Sequence, residues 1–151
     1  STRVRSSAAS DVYKRQYFYL KDPSAAQNIE FDINQFVSGR SLIYGTQCNI
    51  RGGHVWQIWN NVSHAWVSTS AYCPTPTAYK WNHVTIEVQR TSSNELHYIA
   101  ITLNGVKHYL NRYYSSTGTS WNGVTVNFQL DGDKSQTAYS TWLDKLSLSS
   151  W

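Results

Sequence analysis

Three polar side chains occupy every second position of a short apolar segment near the N-terminus. In residues 29–34 (IEFDIN), three large apolar residues alternate with Glu30, Asp32 and Asn34. Successive side chains of a β-strand point to opposite faces, so this spacing places two carboxyl groups and an amide about 7 Å apart on one side of a strand. Such groups can hydrogen-bond a hydroxyl-rich ligand or exchange protons with a substrate. The alternative interpretation is that they only solvate an exposed strand.

Further polar rows and two tryptophans accompany this segment. Outward polar rows recur in the strands predicted over residues 81–90 and 124–130, and Trp56 and Trp59 lie on opposite sides of a strand over 54–60. Each tryptophan is a candidate stacking ring, with burial in the core as the alternative. We predict one curved ligand-binding face that presents Glu30, Asp32, Asn34, Glu87, Gln89, Asn127 and Gln129 beside Trp56 and Trp59.

The elements that must position these residues are β-strands. Residues 81–90 and 95–103 alternate between apolar and polar side chains with a period of two, which is typical of strands with one buried face. Asn104-Gly105 then predicts a type I′ hairpin turn, because both residues accept positive φ. We find about ten such strands and no convincing helix. The predicted fold class is therefore all-β, an antiparallel jelly-roll sandwich of two sheets.

The central meander also resembles a known group of domains. A Trp-x-His-Val entry at Trp81, a strand ending in Arg90 and a Leu-Asn-Gly-Val turn at 103–106 are similar to the central hairpins of laminin G-like domains and other concanavalin A-like lectin/glucanase jelly rolls. This resemblance covers residues 80–106 and implies the concanavalin A-like sandwich. The same sandwich supports lectins, carbohydrate-binding modules, glycosidases and lyases, so it does not select a function.

The segment at Glu30 resembles the E-x-D-x-E active-site strand of family 16-type glycoside hydrolases. The resemblance implies a nucleophile at Glu30 and its electrostatic partner at Asp32, but Asn34 stands where the family has its general acid. An amide cannot deliver a proton to the leaving oxygen, so the comparison argues against catalysis unless another acid such as Glu87 substitutes.

Carbohydrate binding at this face is our leading functional hypothesis, because acids and amides beside tryptophan suit sugar hydroxyls and sugar rings. One alternative is a glycoside hydrolase or polysaccharide lyase that uses Glu30, Asp32 or Glu87. Another alternative is a structural adhesion module of the laminin G kind. A further carboxylate about 5–10 Å from Glu30 would favour the enzyme.

Two cysteines and a group of aspartates are candidates for cross-linking the fold, through a disulfide and through a bound calcium ion. Cys48 and Cys73 are the two cysteines of the chain, and we predict that they form a disulfide between adjacent strands of a secreted domain. Asp131 and Asp133 have the spacing of a calcium loop, with Asp144 as a further ligand, although Asp and Gly are also common in plain turns. We expect no cofactor other than this structural calcium.

Residues 6–16 (SSAASDVYKRQ) resemble the in-frame translation of a sequencing-library adaptor, a contaminant of metagenomic reading frames. We therefore predict that residues 1–16 are a non-native leader, unpacked or incidentally paired, and that the domain at 17–151 lacks its true first strand.

The leader also carries most of the net charge. Four of the 13 basic residues and one of the nine acidic residues lie in it, which leaves nine against eight and lowers the formal charge from +4 to +1. The remaining basic residues are scattered, which excludes a nucleic-acid-binding stripe. No apolar run is long enough to cross a membrane. We expect a monomeric domain.

Overall fold

A computed structural model describes residues 10–132 and 137–150 of the chain. Apart from a 3₁₀ turn at Pro23–Ala25, the regular elements of these residues are strands. They are β1 (Ser10–Leu20), β2 (Asn28–Val37), β3 (Arg40–Tyr44), β4 (Thr46–Asn49), β5 (Val55–Asn60), β6 (Ala65–Tyr72), β7 (Lys80–Arg90), β8 (Glu95–Leu103), β9 (Val106–Ser115), β10 (Thr117–Gly118), β11 (Gly123–Asp131) and β12 (Thr141–Ser150).

The strands form two antiparallel sheets that pack face to face. The five-stranded sheet has the order β12-β1-β7-β8-β9, and the seven-stranded sheet has the order β10-β3-β2-β4-β5-β6, with β11 paired to β2. The central strands, among them β2, β5, β7 and β8, bury apolar side chains against the other sheet, as a sandwich requires. The predicted fold class, an all-β antiparallel sandwich of two sheets, is confirmed.

The core contains apolar side chains from both sheets. Phe18 of β1 and Phe31 of β2 meet across the sandwich with ring centroids 5.3 Å apart, and both are 1% exposed. The inward rows of β2, β5 and β7 add to this cluster the residues Ile29, Ile33, Trp56, Ile58, Val84, Ile86 and Val88. The face of each sheet that points away from this core is called its outer face below.

The central meander forms as predicted, with one change of phase. Asn104 and Gly105 both have positive φ, 50° and 87°, which agrees with the predicted type I′ turn. In β8 the pairing register shifts between Tyr98 and Ala100. Because of this irregularity, Ile101 is buried on the same side as Tyr98, whereas uninterrupted alternation would place it on the opposite side.

Cys48 and Cys73 form the predicted disulfide, with Cα atoms 5.7 Å apart. Their strands are not direct neighbours, because β5 lies between β4 and β6 in the sheet. Cys73 follows the end of β6 and donates its backbone N–H to the carbonyl oxygen of His54, just before β5. The cross-link therefore joins β4 to the residue after β6, across the end of β5. The predicted pairing of the cysteines is confirmed, and the prediction that their strands are adjacent is wrong.

The predicted leader contributes to β1 where it is described. Strand β1 pairs with β7 over its whole length and with β12 on its other side. Of the two alternatives expected for this segment, unpacked or incidentally paired, residues 10–16 are therefore paired. Val12 contributes to the core, but Lys14 and Gln16 also point inward and are 0% and 3% exposed. The foreign origin of the segment stays a prediction.

None of the helical residues in the described part of the chain forms a segment that is long and apolar enough to cross a bilayer.

Candidate functional site

The three polar residues of β2 lie on the outer face of the seven-stranded sheet and are nevertheless covered. Glu30, Asp32 and Asn34 are 8%, 6% and 8% exposed, although each points away from the core. Strand β2 lies inside the sheet, with β11 on one side and β3 and β4 on the other. Side chains of these neighbouring strands therefore enclose the polar row.

Strand β11 supplies the next row of polar groups through its register with β2. Asn127 is opposite Asp32, Gln129 is opposite Glu30, and Thr125 is opposite Asn34. The amide of Asn34 donates a hydrogen bond to the Thr125 hydroxyl oxygen over 3.1 Å. Directly opposed residues on one sheet face are in side-chain contact, so the predicted amides do join the predicted carboxyl groups.

A pocket of about 310 Å³ opens beside the two carboxyl groups. Its polar side is formed by Glu30, Asp32 and Gln129, and its apolar side by Ile43, Gly45, Trp59 and Trp66. We call it the carboxyl–tryptophan pocket. Trp59 and Trp66 are direct cross-strand partners in β5 and β6, with ring centroids 5.4 Å apart and planes at 70°. This edge-to-face arrangement is a favourable geometry for aromatic pairs.

Gly45 interrupts the strand between β3 and β4 and leaves room for this aromatic wall. A Cβ atom at Gly45 would lie 2.9 Å from Cβ of Trp59, 3.1 Å from Cη2 of Trp66 and 3.5 Å from Oδ1 of Asp32. The first two separations are closer than normal carbon contacts, which lie at about 3.5–4.0 Å. The residue must therefore be glycine because of space, since its φ is not positive.

Burial and their mutual interaction both act on the two carboxyl groups, and burial has the larger effect on the pKa of each. Burial, a hydrogen bond with Asp32 and the charge of Asp32 raise the pKa of Glu30 to about 8. Burial also raises the pKa of Asp32, against opposing hydrogen bonds that include the backbone N–H of Thr46, 3.3 Å from Oδ1. At neutral pH Glu30 therefore keeps its proton, under the influence of the Asp32 charge. The pair can donate a hydrogen bond from Glu30 and accept one at its other oxygens.

The nearest ammonium group lies on the wrong side of the sheet to meet a ligand. Lys14 projects inward from β1, and its Nζ donates to the carbonyl oxygens of Asn127 and Asp32 over 2.7 and 3.3 Å. Burial lowers the pKa of Lys14 to about 8, although the Asp32 charge opposes the shift. This cation lies in the core beneath the backbone of the polar row.

One of the two predicted tryptophans belongs to the pocket and the other does not. Trp59 lines it, whereas Trp56 is 1% exposed and packs in the core, with its ring centroid 6.4 Å from that of Phe31. The prediction that Trp56 stacks on a ligand is wrong because adjacent positions of β5 alternate between core and outer face. Sequence reasoning missed Trp66. The hairpin between β5 and β6 contained the signal, since a register with Asn60 opposite Ala65 places Trp66 opposite Trp59.

Glu87 and Gln89 are the predicted members that the structure separates from the rest. They lie on the outer face of the five-stranded sheet, where Glu87 is opposite Tyr13 in β1. Glu87 forms an ion pair with Lys107 over 2.7 Å, and Gln89 donates to Asp11 over 2.7 Å. The prediction of one shared face is therefore wrong. The polar pattern of β7 resembles that of β2, but the two sheets direct their polar rows away from each other.

A second, larger cleft lies beside Glu87. It has a volume of about 690 Å³ and is open to solvent on the outer face of the five-stranded sheet. Its lining includes basic, aromatic and hydroxyl groups: Tyr13, Arg15, Tyr17, His83, Thr85, Glu87, Thr102, Lys145, Leu146 and Ser147. Because Tyr13 and Arg15 belong to the predicted leader, we assign no function to this cleft.

The calcium prediction is not tested by the structure. Asp133 lies outside the described residues. Asp131 accepts a hydrogen bond from Gln129 over 2.9 Å, and Asp144 accepts one from the backbone N–H of Lys145 over 2.8 Å. Among residues 10–132 and 137–150, no three His, Cys, Asp or Glu side chains are grouped as metal ligands.

Comparisons with known proteins give weak structural likenesses. No protein-family model matches the chain, and no curated protein matches it. An alginate lyase from Pseudomonas aeruginosa is 14% identical with a TM-score of 0.44, covering 96% of this chain and 66% of that one. A polysaccharide lyase of family 18 is 9% identical with a TM-score of 0.41, covering 96% and 73%. This chain thus spans about two thirds of the length of the first. At these values the likenesses carry no argument about activity, and the laminin G-like and family 16-type resemblances stay hypotheses.

Proposed function

We propose that the chain is a glycan-binding domain whose ligand enters the carboxyl–tryptophan pocket. The observation that carries this proposal is the position of the Glu30–Asp32 pair opposite the Trp59–Trp66 wall. A sugar ring has hydroxyl groups, which both donate and accept hydrogen bonds, and an apolar face of C–H groups. A carboxyl pair that holds one proton can hydrogen-bond the hydroxyl groups, and an aromatic wall can stack on the face of C–H groups.

The size of the pocket suits a small part of a glycan. At about 310 Å³ it is at the lower end of the ~300–1,000 Å³ range of small-molecule sites. Asn127 and Gln129 extend the polar row along exposed β11, beyond the two carboxyl groups. We therefore infer that one ring occupies the pocket and that neighbouring rings lie along this strand.

The disulfide between Cys48 and Cys73 supports a secreted location for this activity. Disulfides persist in oxidising compartments, which is also where a free polysaccharide would be met. We further propose that the domain acts as a monomer, as expected from the sequence.

Hydrolysis is the second candidate, and the raised pKa of Glu30 is the observation that favours it. A carboxyl group that is protonated at neutral pH can act as a general acid. Asp131 is the other carboxyl group near Glu30, because Gln129 is opposite Glu30 and Asp131 is two residues further along β11. Diagonal neighbours on paired strands are about 7–8 Å apart. A comparable separation of the two carboxyl groups would fall within the ~6.5–9.5 Å range of inverting glycosidases.

Three features favour binding over hydrolysis. Glu30 and Asp32 lie two residues apart on the same face of β2, so they do not flank a glycosidic bond from two sides. Asp131 does not line the pocket and is engaged by Gln129. Glu87, the acid considered from sequence, is on the outer face of the other sheet.

The two remaining hypotheses receive less support. A polysaccharide lyase acts on a uronate, whose negative charge would meet two carboxyl groups and no basic side chain in the described lining of the pocket. A dry adhesion surface would lack carboxyl groups, whereas Glu30 and Asp32 form the polar side of this pocket.

Affinity electrophoresis against a polysaccharide panel, with reducing-end release measured in parallel, tests the proposal. We expect retention by the wild type, weaker retention for Asp32→Asn and Trp59→Ala, and no reducing ends from any variant. Trp81→Ala is the matched control, because Trp81 is 49% exposed on β7 in the other sheet. Turnover that disappears in Glu30→Gln and Asp131→Asn would instead establish hydrolysis.

A further inference from the structure

We propose that the carboxyl–tryptophan pocket selects an uncharged glycan and rejects polymers of uronic acids, because its carboxyl groups face the ligand without a basic side chain beside them. This inference rests on the proposed glycan-binding function and adds the class of ligand.

The charge distribution around the pocket is one-sided. Two of its lining side chains are carboxyl groups, and the rest are Gln129, Ile43, Gly45, Trp59 and Trp66. A third carboxyl group, that of Asp131, lies close enough to raise the pKa of Glu30. No Lys, Arg or His belongs to the lining within the described residues.

The nearest basic groups cannot serve a ligand in this pocket. Lys14 is fully buried and its ammonium group is held by two backbone carbonyl oxygens on the core side of β2. His64 contacts the Trp59 ring at a centroid distance of 6.2 Å, at the turn between β5 and β6, and is not part of the lining.

A uronate carboxylate in the pocket would therefore meet a like charge without compensation. Two unit charges about 6 Å apart in a partly buried site repel strongly enough to weaken binding on the order of 100-fold. The hydroxyl groups of an uncharged sugar incur no such penalty. They can accept a hydrogen bond from the protonated Glu30 carboxyl group and donate hydrogen bonds to the other carboxyl oxygens.

The test measures electrophoretic retention at pH 7 in gels that contain either neutral polysaccharides (β-glucan, xyloglucan, galactomannan) or polyuronates (alginate, polygalacturonate). Only retention that Trp59→Ala abolishes is assigned to the pocket, so that binding elsewhere, including the cleft with Arg15 and Lys145, is not counted. We expect such retention on at least one neutral polymer, and at least about 100-fold weaker affinity for both polyuronates.

A second variant keeps the test decisive if Trp59→Ala fails to fold. The double change Glu30→Gln and Asp32→Asn removes the charge and retains the shapes of both side chains. We expect it to reduce the preference for neutral over uronic polymers at least about tenfold, since the repulsion is removed. Trp81→Ala again serves as the control.

The outcomes separate the two proposals. Trp59-dependent retention on a polyuronate within tenfold of the best neutral polymer overturns the selectivity and leaves glycan binding intact. An unchanged preference in the double variant also overturns the selectivity. Absence of Trp59-dependent retention on every gel overturns the glycan-binding function itself, and the selectivity with it.

Discussion

Strands β1 and β2 lie opposite each other in the two sheets, and both bury polar side chains, but they do so on different sides. In β2 the buried polar residues Glu30 and Asp32 face outward into a pocket, where they bond to each other. In β1 the buried polar residues Lys14 and Gln16 face inward among apolar side chains. The comparison teaches that the direction of a buried polar side chain matters as much as its burial. A group that lines a cavity can meet a ligand, whereas a group among apolar core side chains lowers stability, and we call the second case a misfit.

The misfit in β1 coincides with the boundary of the predicted leader. Inward positions after the boundary are Phe18 and Leu20, which are apolar and 1% and 0% exposed. Inward positions just before it are Lys14 and Gln16. These two polar residues follow Val12, which is apolar and 1% exposed, so only part of the inward row of residues 10–16 is polar. The foreign origin of residues 1–16 stays a prediction.

The largest effect is expected from Lys14→Met, which replaces the buried ammonium group with an apolar chain of similar length. The pKa of Lys14 is about 8 against an ordinary value of 10.5. One pKa unit corresponds to ~1.4 kcal/mol, so the variant should raise the free energy of unfolding at pH 7 by about 3 kcal/mol. Urea denaturation measures this change.

The control for this prediction is Lys80→Met, because Lys80 is exposed on the neighbouring strand and should change stability little. The wild type should also gain stability between pH 8 and 10.5, since only the unfolded chain then keeps the lysine proton. Lys14→Met should lose this gain. A variant that is destabilised would show that Lys14 fits the core and that β1 and β2 do not differ as described.

The next effect concerns Glu30→Gln and has opposite consequences for stability and binding. The folded protein holds the Glu30 proton between the ordinary pKa of 4.5 and about 8, and the unfolded chain does not. The free energy of unfolding should therefore fall as pH rises through this range, by on the order of 2 kcal/mol because the pocket admits water. Glu30→Gln should flatten the decrease.

Stability curves at pH 5 and pH 8, together with retention on a neutral polysaccharide, check this prediction. The variant should be more stable than the wild type at pH 8 and should bind more weakly, as expected for a strained functional site. Equal pH dependence in both proteins would mean that Glu30 is not protonated in the folded state. Glu30 and Asp32 would then titrate as ordinary carboxyl groups, and the contrast drawn between β1 and β2 would lose its support.

A smaller effect is expected from Gly45→Ala, which tests the pocket side of the comparison. The new Cβ would meet Trp59 and Trp66 and displace the aromatic wall from Asp32. We expect about tenfold weaker affinity for a neutral polysaccharide, measured by retention in the gel, which corresponds to ~1.4 kcal/mol of binding free energy. Gly118→Ala is the matched control, because Gly118 has no heavy atom within 4 Å of its Cβ position and no positive φ. Unchanged binding by Gly45→Ala would exclude the tryptophan wall from the site.

The smallest effect should come from Gln16→Leu, which tests the misfit in β1. Oε1 of Gln16 is buried and has no hydrogen-bond partner in the described part of the protein. Leucine removes the unsatisfied oxygen and should raise the free energy of unfolding by about 1 kcal/mol. Thermal denaturation would detect this increase, and a decrease would argue that residue 16 belongs to a native strand.

Several features of the fold follow from the sequence alone because they are local. The period of two identifies β2, β7, β8 and β11, and the Asn104-Gly105 pair identifies the turn after β8. Alternation also placed Glu30, Asp32 and Asn34 correctly on one face of one strand, since neighbouring side chains of a strand must point to opposite sides.

Other features were decided by the tertiary structure because they depend on which strands pair. The polar rows of β2 and β7 look alike in sequence, and only their membership of different sheets separates Glu30 from Glu87. The burial of Trp56 and the exposure of Trp59 depend in the same way on which side of β5 meets the other sheet. Gly45 acquires its role only when Trp66 packs over it. Alternation tells which residues share a face, but long-range pairing decides which face becomes core and which polar rows meet to form a site.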